Sequence, residues 1–237
     1  MSSRLIVVSA HAGDWLWRAG GAIGKVVQGG GEAVVVALSY GERGESGELW
    51  KQPAQTVDNV KQVREQEVRA AAAILGATMQ FFDLGDYPLV VDRPALDRLT
   101  ELMRDFEPDA VITHTELDPA NPDHPEAHRA AVLARKLAIG AGVPAAFKTI
   151  APPALYVFEP HHTELCSFSP DTYLDITDVF PSKAEAMAQM AAQPYMIEQY
   201  TQRAQNRASF GRRFGKNQTM RYAEAFQRLI PEVVDTL

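Results

Sequence analysis

The chain has 237 residues, of which 46% are apolar and 22% charged, with a formal net charge of −7. This composition is typical of a folded globular protein, and the negative balance argues against a nucleic-acid partner. Cys166 is the only cysteine, which excludes an intrachain disulfide and a thiolate metal cluster. No apolar run approaches the ~18 residues needed to span a bilayer, so we expect no membrane partner and a cytoplasmic protein.

Predicted strands alternate with predicted helices over the first 140 residues. Short apolar runs indicate the strands, and a 3.6-residue apolar period indicates the helices. In chain order these are a strand at 5–10, a helix at 15–27, a strand at 33–38, a helix at 58–75, a strand at 79–84, a helix at 94–106, a strand at 110–114 and a helix at 125–138. Such alternation predicts a parallel sheet with helices on its faces.

The rest of the chain predicts two late strands, at 153–158 and 173–176, with helices filling most of the C-terminal portion. There is no internal repeat, low-complexity tract or linker. We therefore predict one domain over residues 1–237, an α/β fold built as a Rossmann-like three-layer sandwich with a mostly parallel central sheet.

The histidines point to a functional edge of this sheet. His11 ends the first strand and His114 the fourth, and most of the six histidines lie near a predicted strand end or in a loop leaving one. Two long loops, at 40–57 and 115–123, also follow strands. Ligands gather at the carboxyl ends of strands in open α/β sheets, so this clustering favours a metal site.

A ligand set can be assembled from two segments. His11 and Asp14 lie three residues apart on one predicted turn, and His124 begins a helix after a neighbouring loop. Two imidazoles and a carboxylate with open positions are typical of catalytic zinc. The alternative is that His11 and Asp14 only cap the helix that follows them.

Four motifs, in order, resemble the PIG-L/LmbE family. They are His-Ala-Gly-Asp at 11–14, Ala-Gly-Gly-Ala-Ile at 19–23, Ser-Tyr-Gly-Glu-Arg-Gly at 39–44 and Asn-Pro-Asp-His at 121–124. Members are mostly zinc-dependent amide deacetylases with a Rossmann-like fold. The resemblance implies Zn²⁺ as cofactor and His11, Asp14 and His124 as its ligands. His128, one helical turn further on, is the main competitor for the third position.

Two departures from the family pattern argue against deacetylation. The family's deacetylases have an aspartate as general base where this chain has Gly13, and a histidine that helps stabilise the oxyanion where it has Asn121. Amide hydrolysis needs both a base for water and stabilisation of the tetrahedral oxyanion.

A hydratase branch of the family shares these departures. Its resemblance rests on Ser-Ala-His-Ala-Gly-Asp at 9–14, Trp-Arg-Ala-Gly-Gly at 17–21, Gly-Glu-Arg-Gly-Glu-Ser at 41–46 and Phe-Glu-Pro-His at 158–161. The reaction that it implies is addition of water to 4-oxalomesaconate, a small polycarboxylate, giving 4-carboxy-4-hydroxy-2-oxoadipate in bacterial gallate and protocatechuate breakdown. The alternatives are an N-deacetylase of the LmbE type and a non-catalytic metal-binding protein.

Hydration needs an acid and a base besides the metal. We predict that Glu48 and His161 fill these roles, with Glu45 and His162 as their nearest rivals.

Substrate carboxylates call for cationic and polar groups. We predict that Arg43, Arg18 and Asn121 bind them, since a guanidinium makes bidentate contacts with a carboxylate. The sequence does not fix the oligomeric state, and a homo-oligomer is left open.

Overall fold

The computed structural model describes residues 3–234 and 236. In chain order its elements are β1 (Arg4–Ser9), α1 (Asp14–Gln28), β2 (Glu32–Ala37), α2 (Gly47–Trp50), α3 (Val57–Leu75), β3 (Thr78–Phe81), α4 (Arg93–Phe106), β4 (Ala110–Thr113), α5 (Asp123–Ala138), β5 (Ala154–Phe158), β6 (Thr172–Asp175), α6 (Phe180–Met187), α7 (Met196–Phe214) and β7 (Ala223–Arg228).

These strands form one sheet in the order β3-β2-β1-β4-β5-β7-β6. The neighbours from β3 to β5 pair in parallel, whereas β7 runs antiparallel to both β5 and β6. The predicted mostly parallel α/β sheet is therefore confirmed.

Both faces of the sheet are covered by helices. Along β1, Leu5 and Val7 pack into one apolar cluster, which includes side chains of α1, α3, α6 and α7. Ile6 and Val8 point the other way, into a cluster that includes side chains of α4 and α5. Successive side chains of a strand alternate between faces, so the unbroken apolar run of β1 fits a strand buried on both sides. The result is a three-layer sandwich.

The chain reverses its direction of travel across the sheet between β1 and β4. From β1 it proceeds outward through β2 and β3, then returns to place β4 on the other side of β1. The loops that leave β1 and β4 consequently diverge and open a crevice at the carboxyl ends of these strands. This crevice is where the residues of the candidate site meet.

The main difference from the predicted elements is β7, in a region that we expected to be helical. Its sequence, Ala-Glu-Ala-Phe-Gln-Arg, is rich in good helix formers. Pairing with β5 and β6 on its two sides overrides this local preference. A short helix, α2, also interrupts the predicted loop at 40–57.

Among the residues described, no helix combines the length and the apolar character needed to cross a membrane. The assignment of residues 1–237 to one domain stays a prediction.

Candidate metal centre and active site

Two turns bring the predicted metal ligands to the crevice. Asp14 is the first residue of α1, and its carboxylate accepts a hydrogen bond from the backbone N–H of His11 at 2.9 Å. His124 is the second residue of α5, which begins after the loop that follows β4. The local turn thus links His11 to Asp14, and the switch in strand order carries His124 across to them.

These three side chains, called the trio below, could hold a metal ion. One ligand atom from each lies within 4.8 Å of the others, and all three residues are buried. The Nδ1 atom of His11 is 3.2 Å from Asp14 Oδ2, and Nε2 of His124 is 3.7 Å from Asp14 Oδ1.

The hydrogen-bonding pattern of the trio fits a metal. Within the described part of the chain, His11 Nδ1 and His124 Nε2 are buried and have no hydrogen-bond partner. The other nitrogen of each ring faces a carboxylate: His11 Nε2 lies 3.0 Å from Asp123, and His124 Nδ1 lies 2.7 Å from Asp118. Metal-binding histidines usually donate their second N–H in this way, which fixes the tautomer and frees the first nitrogen as a ligand.

The surrounding carboxylates favour a positive charge at this place. Burial by itself would lower the pKa of His11, but the carboxylates of Asp123 and Asp14 outweigh it and raise the pKa to about 10. Burial likewise opposes ionisation of Asp14, yet the charge of Arg18 holds the pKa of Asp14 well below its usual value. The pocket is therefore built around an ionised carboxylate.

Two other histidines border the trio without joining it. His114 stacks on His124 with ring centroids 4.1 Å apart, and burial lowers its pKa well below the usual value, which keeps the ring neutral. His128, the competitor for the third position, donates its Nδ1–H to the backbone oxygen of His114, 2.7 Å away. The compact group of ligand atoms includes His124 and leaves His128 out.

Glu45 lies beside the trio. Its Oε1 accepts a hydrogen bond from Asn121 Nδ2 at 2.9 Å and lies 3.9 Å from His11 Nδ1. Asn121 in turn accepts the backbone N–H of Asp123 at 3.1 Å, which ties it to the start of α5. The loop after β2 therefore delivers a carboxylate to the crevice, as expected, but through Glu45.

Glu48 does not reach this site, which corrects the prediction for the carboxylate. The short helix α2 begins at Gly47 and turns Glu48 outward. Its carboxylate is exposed and pairs with Lys51 at 2.6 Å. The sequence places both glutamates in one loop, and the direction of each side chain depends on a turn of helix that the sequence did not indicate.

His161 and His162 separate in the same manner. His161 is half-buried, with Nδ1 3.1 Å from the Tyr200 hydroxyl, whereas His162 is exposed. Burial, reinforced by the charge of Arg18, lowers the pKa of His161 to about 2, so the ring is neutral.

The two arginines predicted to bind substrate also occupy different settings. Arg18 is buried with Nη2 3.6 Å from Asp14 Oδ1, and this nitrogen has no hydrogen-bond partner among residues 3–234 and 236. Arg43 is half-exposed, and its Nη1 contacts Glu42 at 3.2 Å and Asp86 at 3.4 Å. Arg18 thus lies beside the trio, whereas Arg43 contacts Glu42 and Asp86.

Several site residues were missed by reasoning from the sequence. Asp118 precedes His124 by six residues, so a search for carboxylates near the ligands would have found it. Tyr200 contacts both Arg18, at 3.3 Å, and His161, but it lies on α7, far along the chain. Nothing in the local sequence indicates that contact.

Comparisons with known proteins place the chain in a family. The family model described as GlcNAc-PI de-N-acetylase (PIG-L) matches residues 6–135. The 4-oxalmesaconate hydratase of Pseudomonas putida is 43% identical over 235 residues, which cover 98% of this chain and 91% of that protein.

Comparison with solved structures shows the same similarity. The crystal structure of GalB, the 4-carboxy-2-hydroxymuconate hydratase from Pseudomonas putida KT2440, matches with a TM-score of 0.95 and 42% identity over 100% of both chains. The N,N'-diacetylchitobiose deacetylase of Pyrococcus horikoshii matches with a TM-score of 0.76 at 19% identity, covering 96% of this chain and 84% of that one, which shows a shared fold. The family model and the full-length similarity together show that this chain belongs to the PIG-L family.

Proposed function

We propose that the protein is a metal-dependent hydratase that adds water to 4-oxalomesaconate and forms 4-carboxy-4-hydroxy-2-oxoadipate. The observation that carries the proposal is a buried trio with two free imidazole nitrogens, flanked by Glu45 and without a carboxylate at position 13. The similarity to hydratases over nearly the full length of the chain supports the same reaction.

We further propose that the metal is zinc, held by His11, Asp14 and His124. Two imidazoles and one carboxylate form the donor set of many catalytic zinc sites, which leave a position open for water or substrate. Bound there, zinc would supply Lewis-acid chemistry at a substrate oxygen or at the added water.

Glu45 and His161 are the groups that we assign to proton transfer. The product requires a hydroxyl on the carbon that carries the branching carboxyl group and a hydrogen on the adjacent carbon. Water must therefore lose a proton and the adjacent carbon must gain one, and a group that takes the proton from water can return it to carbon. Glu45 offers a carboxylate held by Asn121, and the Tyr200 contact at Nδ1 of His161 leaves its Nε2 for the substrate.

Arg18 is the group that we assign to a substrate carboxylate. Its guanidinium is fixed by the Tyr200 hydroxyl at 3.3 Å and by His114 Nδ1 at 3.1 Å, while Nη2 keeps a free donor. A buried guanidinium with an unused N–H is suited to a polycarboxylate, because charge-assisted hydrogen bonds are strong where water is excluded. Asn121 is retained as a second polar contact.

The test is metal analysis of the purified protein combined with turnover of 4-oxalomesaconate, followed by the loss of its ultraviolet absorbance. We expect about one zinc per chain and turnover that a chelator abolishes and added zinc restores. Protein that holds zinc but leaves the unsaturated acid unchanged would contradict the hydratase assignment. Protein without metal or turnover would favour a non-catalytic role.

Deacetylation is the second candidate, because the matching family model carries a de-N-acetylase description. Against it stands Gly13, which supplies no carboxylate as base. An assay with N-acetylglucosamine conjugates, run beside the hydratase assay, separates the two. Activity on the amide alone would replace the hydratase proposal.

A further inference from the structure

The space beside Gly13 is occupied by a buried arginine, a buried methionine and a buried glutamine. A Cβ atom at position 13 would lie 2.8 Å from Arg64 Nη2, 3.0 Å from Met190 Cε and 3.1 Å from Gln193 Oε1. Contacts this close force neighbouring atoms to shift, so a larger residue at position 13 would displace this pair. Glycine therefore makes room for two polar side chains at the edge of the trio.

These side chains form a chain of hydrogen bonds that ends on Glu45. Arg64 Nη2 donates to Gln193 Oε1 at 3.1 Å, and this contact orients the amide. With its oxygen engaged, Gln193 directs Nε2 at Glu45 Oε2, 3.3 Å away. The other oxygen of Glu45 accepts from Asn121 at 2.9 Å. Each oxygen of the Glu45 carboxylate thus accepts a hydrogen bond from a different segment of the chain.

The far end of this chain is anchored in the interior. Arg64 is fully buried, and its Nη1 donates to Glu67 Oε2 at 2.8 Å. The second oxygen of Glu67 accepts the backbone N–H of Ala192 at 2.8 Å, which fixes the turn that carries Gln193. Gln193 itself is 3% exposed. A buried network with its members satisfied is rigid, so it can hold a loop carboxylate in one place.

We propose that Gln193, oriented by Arg64, is a positioning residue that holds the Glu45 carboxylate at the metal for proton transfer. The inference rests on the proposed role of Glu45. It also gives a structural reason for glycine at position 13, because the space that a side chain would fill there is occupied by Gln193, which contacts the Glu45 carboxylate. Proton transfer requires this support, since a displacement of about 1 Å can cost about 100-fold in rate.

Two substitutions at Gln193 separate the effect of losing its amide donor from the effect of losing its packing. Gln193→Glu keeps an oxygen for Arg64 and removes the donor that faces Glu45, and Gln193→Met removes both contacts at similar volume. We expect kcat to fall about 10- to 100-fold in each, with KM, zinc content and unfolding temperature of Gln193→Glu close to those of the parent. Gln189→Met is the matched control, because Gln189 is exposed four residues earlier and should leave kcat unchanged.

A double-mutant comparison tells positioning from general damage. In a Glu45→Gln background, Gln193→Met should change kcat by less than about twofold, because the group through which it acts is already gone. A full additional loss there would mean a structural role and would overturn the proposal, as would parental kcat in Gln193→Glu. Parental kcat in Glu45→Gln would instead refute the assigned role of Glu45.

A crystal structure of Gln193→Glu gives a readout that is independent of turnover. We expect the Glu45 carboxylate to leave its position beside Asn121. A Glu45–Asn121 contact still near 2.9 Å would overturn the positioning role even if the protein proved to have another activity.

Discussion

The two halves of the candidate site are held in different ways. The proposed metal half, His11, Asp14 and His124, stands at the ends of regular elements, and short turns fix it. The proposed proton-transfer half, Glu45 and His161, lies in loops. Glu45 is held by Asn121 and Gln193, which are 76 and 148 residues away in the sequence, and His161 is held by Tyr200, 39 residues away.

This difference shows which residues of an active site are placed by the order of the strands alone. A residue at the end of a strand points into the crevice wherever the sheet forms. A residue within a loop needs contacts from distant segments before its direction is set. The metal half should therefore depend on its own side chains, and the proton-transfer half on its distant supports as well.

The largest effect should follow from removing a metal ligand. Replacing His124 with alanine takes away one of three donors, and the buried carboxylate of Asp14 loses one of its neighbouring rings. We expect zinc to be lost from the purified protein and turnover to fall to the background rate, because every step depends on the metal. Metal analysis and the hydratase assay measure both.

His128→Ala is the control, since His128 lies outside the group of ligand atoms. If His128→Ala lost zinc and His124→Ala kept it, the description of the metal half would be wrong.

The next effect concerns the two glutamates of one loop. Glu45→Gln should lower kcat by about 10²- to 10⁴-fold while zinc stays bound, because an amide does not take up the proton. Glu48→Gln is the matched control: its carboxylate is exposed and pairs with Lys51, so kcat should not change. Steady-state kinetics with metal analysis decides. A reversed order of the two variants would return the catalytic role to Glu48.

A smaller effect is expected from the carboxylate behind a ligand. Asp118 lies 2.7 Å from His124 Nδ1, and both groups are buried. Asp118→Ala should weaken zinc binding by about 10- to 100-fold, because the ring loses the partner that sets its tautomer. Competition with a chromophoric chelator measures the affinity. Glu116→Ala, at an exposed position of the same loop, should bind zinc like the parent, and equal weakening in both would deny Asp118 this role.

The smallest effect distinguishes the two arginines. Arg18→Lys should raise KM by roughly tenfold, because an ammonium group does not reproduce the planar set of donors. Arg43→Lys should leave KM unchanged, since Arg43 already contacts Glu42 and Asp86. Initial rates over a range of substrate concentrations test this pair. An increase for Arg43→Lys alone would place the substrate on the outer side of the loop.

Much of the fold was predictable because its signals are local. The apolar run of β1 and the periodicity of α4 each identify an element without knowledge of its neighbours. β7 was not predictable, since its helix-favouring residues become a strand only between β5 and β6. The site divides similarly. His11 and Asp14 follow from a strand end and a turn, whereas Gln193 has no local signal at all.

The sequence by itself determined the α/β alternation, the sheet edge where the site forms and the residues of the trio that this edge brings together. Only the tertiary structure showed which of Glu45 and Glu48, of His161 and His162, and of Arg18 and Arg43 is turned inward. The reason is physical. Hydrophobic periodicity is a property of residues that are close in sequence, whereas the direction of a loop side chain depends on hydrogen-bond donors and acceptors from distant segments of the chain.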